Sequence, residues 1–165
     1  MTHGRPPRRP RRMAVNLVNI AAARATLLTQ AERNQVLDPL RGAVAALRRG
    51  VATEIEWQLA CTAVNIGDAI EKQGVVRGLA EHLHSIDLAL FEIGKRARAG
   101  GEWRSPALYY EERDLMDLLV DLHSHQVKSL SYGEFIRARD KAVAQTSSTP
   151  GGRVVEFEPQ QGVLA

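Results

Sequence analysis

The sequence predicts an all-α protein: an antiparallel helical bundle of four long helices plus a shorter fifth, with a disordered N-terminal arm and a C-terminal tail. Three observations carry this prediction. Apolar residues recur at spacings of three and four through residues 30–146, the period of a helix with one buried face. Capping residues and glycine stops cut that stretch into pieces of helical length. Five of the seven prolines fall in residues 1–12 and 147–165, so the helix breakers gather at the two ends.

Residues 1–28 read as a basic arm and lead-in. The first twelve, MTHGRPPRRPRR, hold Arg5, Arg8, Arg9, Arg11 and Arg12 and no acid. Pro6, Pro7 and Pro10 fix φ and remove backbone donors, which favours polyproline II or disorder. The run Ala14–Ala23 looks like the apolar part of a signal peptide, but Asn16 and Asn19 interrupt it and Arg24 follows. Six arginines precede the first acid, Glu32, as in a transit peptide, yet no serine occurs before Ser85. The segment is therefore expected to be an arm on a cytoplasmic protein, present only if translation starts at Met1 and not at Met13. No run approaches the 18 apolar residues of a membrane-spanning helix, so no membrane partner is expected.

The bundle, residues 29–146, is bounded by its caps. Thr29 with Glu32, Thr53 with Glu56 and Ser131 with Glu134 match the capping box, in which two side chains satisfy orphan backbone donors reciprocally. Ser105-Pro106 offers an N-cap with proline at the first helical position. Gly50, Gly74 and Gly100-Gly101 supply left-handed stops. Helices are predicted over about 30–49, 53–73, 75–99, 106–129 and 132–146. Pro39 either kinks the first or marks a new start capped by Asp38.

Each segment carries an apolar side. The first offers Leu37, Leu40, Val44 and Leu47, and the second Ile55, Leu59, Thr62, Ile66 and Ile70. The third has an unbroken heptad seam, Val76, Leu79, Leu83, Ile86, Leu90, Ile93 and Ala97. Such a seam suits a shallow packing angle inside the bundle or against a second copy. Leu115, Leu118, Leu119, Val120 and Leu122 make the fourth the most apolar. Helices about 30 Å long with short connections pack antiparallel to their sequence neighbours. Residues 147–165, broken by Pro150, Gly151, Gly152, Pro159 and Gly162, read as a flexible tail.

The formal charge of +3 divides unevenly. The arm holds +5, so residues 13–165 sum to 3 − 5 = −2. Arginines interleaved with prolines suit a phosphate backbone, with little sequence readout of their own. Arg137, Arg139 and Lys141 on the last helix are candidate helpers, although Asp140 interrupts them and the turn Lys128–Gly133 is a weak helix-turn-helix signal. Asp114, Asp117 and Asp121 form an acidic stripe, best read as a solvated face that a basic partner can use. Trp103, Tyr109 and Tyr110 sit among Arg96, Arg98 and Arg104, where they either plug the end of the bundle or form a binding patch.

Enzyme chemistry finds no purchase. The pairs His82/His84 and His123/His125 point about 200° apart along a helix, HExxH is absent, and Glu-x-x-His, which the di-iron bundles need on two helices, occurs once, at Glu81–His84, so no metal or other cofactor is expected. Cys61, among Leu59, Ala60 and Val64, reads as a small core hydrophobe with no nearby base to activate it. Asn65 and Gly67 in an apolar face predict close helix packing with a buried hydrogen bond. No catalytic residue is predicted.

Several stretches together carry a likeness: the Arg/Pro-rich start, Leu47-Arg48-Arg49-Gly50-Val51-Ala52-Thr53 with Trp57, Ala63-Val64-Asn65-Ile66 with Ala69-Ile70 and Gly74, then Gly101, Trp103, Leu122-His123, Gln126 and Glu134. Over about residues 1–145 the chain resembles uncharacterised small helical proteins of proteobacterial phages, prophages and related mobile elements, some labelled "Fis family transcriptional regulator". Fis-type regulators read DNA with a C-terminal helix-turn-helix, whereas this chain ends in a Pro/Gly-broken tail, so the label transfers poorly and no residue roles follow from it. The resemblance implies a cytoplasmic accessory protein, a regulator or adaptor. The expected function is nucleic-acid association through the arm; the alternative is a protein-interaction module that inhibits a host or defence complex through a bundle face. A homo-oligomer is also possible.

Overall fold

Each helix begins where the sequence supplies a partner for its free backbone N–H groups. A computed structural model describes residues 17–147, and these hold six helices: α1 (Leu17–Ala25), α2 (Gln30–Arg49), α3 (Glu54–Gln73), α4 (Ala80–Ala97), α5 (Tyr110–Ser129) and α6 (Tyr132–Ser147). All three predicted capping boxes form. The Thr29, Thr53 and Ser131 N–H groups donate to Glu32, Glu56 and Glu134 at 2.7, 2.6 and 2.8 Å, and each hydroxyl accepts the third backbone N–H in return at 3.3 Å. Gly50 and Gly74 stop α2 and α3 at φ of 69° and 80°, in the left-handed region that only glycine enters cheaply.

Pro39 lies inside α2, which runs through it unbroken. Its missing N–H deprives the Gln35 carbonyl of a donor, and both residues are exposed, so water can take that place. The predicted start of the third helix at residue 75 is corrected to Ala80. Gly78 adopts φ 89°, and the Glu71 carboxylate of α3 accepts from the Gly78 and Leu79 N–H groups at 2.7 and 3.2 Å. Those bonds hold residues 75–79 as a connection. The predicted start at 106 is corrected to Tyr110. Ser105 caps nothing; its buried hydroxyl has no partner, while Leu108 drops into the core and Glu112 reaches back to the Tyr109 N–H at 2.8 Å. The short helix α1, within the lead-in, adds to the predicted five.

Helices α2 to α5 close a ring: α2 packs on α3, α3 on α4, α4 on α5 and α5 on α2, with α3 also touching α5. Helix α6 lies along α3, and α1 lies on α6. Among the described residues there is no strand, only an isolated antiparallel bridge between Leu27 and Ser131. The core falls into two clusters. One gathers Leu40, Leu47, Ala60, Ile86, Leu90, Met116 and Leu119; the other gathers Val36, Ile66, Ile70, Val127, Leu130 and Phe135. The heptad seam is used inside the chain. Val76, Leu83, Ile86, Leu90, Ile93 and Ala97 are all buried, and Leu79 packs half-buried against the second cluster. The seam therefore cannot face a second copy.

Near Gly67 the two helices α3 and α5 make the close approach that the sequence predicted. The Gln126 amide donates to the Gly67 carbonyl at 3.0 Å, and a Cβ on Gly67 would lie 3.1 Å from both Gln126 Oε1 and Leu83 Cδ2. The partner is Gln126, and Asn65 is only half-buried. No described helix is long and apolar enough to cross a membrane.

Candidate functional site

The two ends of the molecule differ in chemistry. At the first, α1 meets α6. Tyr132 N–H donates to the Thr26 carbonyl at 3.0 Å and Leu28 N–H to the Leu130 carbonyl at 3.1 Å, so residues 26–28 seal the α5–α6 turn. A Cβ on Gly133 would stand 2.9 Å from the Arg24 carbonyl oxygen and 3.6 Å from an Arg137 terminal nitrogen. The bare glycine is what lets the end of α1 settle here, and it places Arg24 beside Arg137.

Arg24, Arg137 and Lys141 are exposed. Arg137 and Lys141 lie one turn apart on α6 and share a face. Arg139 is half-buried and donates to the neighbouring Asp140 carboxylate at 2.8 Å, so the predicted trio splits into an exposed pair and an internal ion pair. Glu134 is held below its usual carboxyl range, first by the Ser131 N–H and then by the Ser131 hydroxyl, so its charge is committed to the helix cap. The arm arginines Arg5, Arg8, Arg9, Arg11 and Arg12 lie outside the described residues, as does the tail beyond Ser147.

At the second end sit the tryptophans. Trp57 Nε1 donates to the Leu90 carbonyl and Trp103 Nε1 to the Ala52 carbonyl, both at 2.8 Å. Their rings lie 5.5 Å apart at 44°, with the Arg98 guanidinium 4.4 Å and 5.2 Å from the two centroids. Arg98 also pairs with Glu54 at 2.8 Å. Trp103 therefore plugs the bundle end. The tyrosines are different: Tyr109 is 61% exposed and Tyr110 is 76% exposed. Arg96 stacks over the Tyr109 ring at 4.4 Å and donates both terminal nitrogens to Glu112 at 2.7 Å. Burial pushes the Glu112 carboxyl up, but Arg96 and the Tyr109 N–H together hold it below its usual value. Sequence reasoning misses Glu112. Its signal is the spacing to Tyr109, half a capping box in which only the carboxylate contributes.

The acidic stripe is also divided. Asp114 and Asp121 are exposed, whereas Asp117 is paired with Arg48 of α2. Together Arg41, Val44, Ala45 and Arg48 of α2 and Asp117, Val120 and Asp121 of α5 line a shallow groove of about 330 Å³.

Burial governs the lone cysteine and one of the histidines. Cys61 is pushed up to about 12, by burial first and by nearby Asp87 second, so it is no nucleophile near neutrality. His123 is buried and pushed down to about 4 by burial, with Gln126 opposing. His82, His84 and His125 are exposed. Among the described residues no three His, Cys, Asp or Glu side chains come together as a metal site. No protein-family profile, no curated protein and no solved structure matches this chain.

Proposed function

We propose that this chain is a non-enzymatic regulatory protein of the phage or mobile-element type that works in the cytoplasm and associates with nucleic acid through its basic arm. Its body is an antiparallel four-helix bundle to which α6 is added. The observation that carries the reading is the seating of α1 on α6, which sets Arg24, on the helix that follows the arm in sequence, beside Arg137, one turn from Lys141 on α6. A polyanion held by the arm then finds further cations on the body. Lysine and arginine contacts to phosphate give sequence-independent affinity by releasing counterions.

The test is binding to labelled duplex and single-stranded nucleic acid across a salt series, for the full chain and for a chain lacking residues 1–12. Five arm contacts on duplex DNA give a log–log salt slope of about −4.5. Deleting the arm abolishes measurable binding, and R137E/K141E in the full chain weakens it more than either single change. Unchanged affinity after the deletion overturns the reading.

The second reading is a protein-interaction module that inhibits a host or defence complex. Its support is the exposed pair Tyr109 and Tyr110, since tyrosine and arginine are enriched at binding hot spots. One stoichiometric protein recovered by pulldown with nuclease present, and lost in Y109A/Y110A, favours it over the first.

A further inference from the structure

The α2–α5 groove carries opposite charge on its two edges. Arg41 and Arg48 stand on the α2 edge, Asp117 and Asp121 on the α5 edge, and Val44, Ala45 and Val120 form the floor.

We propose that this groove is a self-association surface that takes a second copy of the same chain. A twofold interface brings one patch against itself, so the patch must be self-complementary. A rotation of 180° about an axis running along the groove exchanges its two edges and keeps heights along it unchanged. Arg41 and Arg48 of one copy then lie over the partner's Asp121 and the partner's Asp117, and the reverse pairs form by symmetry. Arg48 and Asp117 already stand at one height, because they pair within the chain. The second copy turns that pair and its symmetry mate into a cluster of alternating charge, and Arg41, which pairs with Asp38 within its own chain, gains the partner's Asp121 as a further counter-charge. A groove with both edges of one sign would repel its own copy.

The experiment measures mass by light scattering over a protein dilution series at low and high salt. The wild-type chain dimerises, and association weakens about tenfold when salt screens the cross-chain pairs. R41E/R48E gives an all-acidic groove and D117R/D121R an all-basic one; each alone is monomeric. Mixed in equal amounts they restore a heterodimer, which separates lost complementarity from lost folding. A45Q, which fills the floor at an exposed position and leaves all four charges intact, also dissociates the dimer. A wild-type chain that stays monomeric at its highest soluble concentration overturns the proposal, as do variants that remain dimeric or fail to recombine. A monomer that instead captures a separate helical peptide with one acidic and one basic edge overturns it in favour of a foreign partner.

Discussion

At the scale of single residues, two buried polar groups set the strongest expectations. Glu112 is 7% exposed, and its carboxylate joins Arg96 of α4 to the first turn of α5. Arg96→Met leaves that carboxylate buried without its counter-charge, and urea unfolding should show a loss of about 1–3 kcal/mol. Glu112→Gln keeps an acceptor for the Tyr109 N–H and should lose less. His123 gives a pH dependence whose sign is fixed. Its folded-state pKa of about 4 lies below the ordinary 6.5, so between these values the unfolded chain binds a proton that the folded chain refuses. Its contribution is complete above pH 6.5 and is lost as pH falls toward 4, in total about 3 kcal/mol. Replacing His123 with leucine should flatten that limb in a series of melts from pH 7 to 4. Glu112, held low, adds its own loss at more acid pH as it becomes protonated.

At the scale of elements, the capping pairs were legible because their chemistry is local: Thr29, Thr53 and Ser131 each need only a glutamate three residues on. The starts at 75 and 106 misled for the opposite reason. Glu71 ties down the residues before α4 from eight positions away, and the burial of Leu108 and the Trp103–Ala52 bond decide the path into α5. Neither is visible in a local window. The α1–α6 contact depends on Gly133, and Gly133→Ala should separate two effects. Alanine raises the helix propensity of α6 by about 1 kcal/mol, but its Cβ cannot share space with the Arg24 carbonyl 2.9 Å away. The peripheral helix should give way first. Amide exchange should quicken across Leu17–Ala25 while the main melting transition stays or rises. In the body the reverse holds. A Cβ on Gly94 would lie 2.5 Å from Trp57 Cζ2, and Gly94→Ala should destabilise by about 1–3 kcal/mol with a changed tryptophan emission.

At the scale of the molecule, helices α2, α3 and α5 each contribute side chains to both core clusters. Shared helices couple the clusters, so the body should unfold as one unit. Trp57 and Trp103 both sit at one end, whereas helical circular dichroism reports on the whole. The two signals should coincide along a denaturant curve, and a displaced tryptophan transition would show two separable units. The all-α class was legible from periodicity; the use of the third segment's seam was not, because an apolar stripe does not reveal which neighbour covers it. The candidate sites divided on the same principle. Exposure of Tyr109 and Tyr110, the pairing of Asp117 with Arg48 and the commitment of Arg139 to Asp140 all depend on what stands opposite, whereas the arm's charge is written in the chain itself. The way α1 is attached has a consequence for how such a chain can change over generations. Helix α1 rests mainly on α6 and touches neither apolar cluster through a described side chain. Helix α1 (Leu17–Ala25) is thus exchangeable as a cassette: recombination at the Thr26 turn could fit the same body with a different helix, provided glycine stays at position 133.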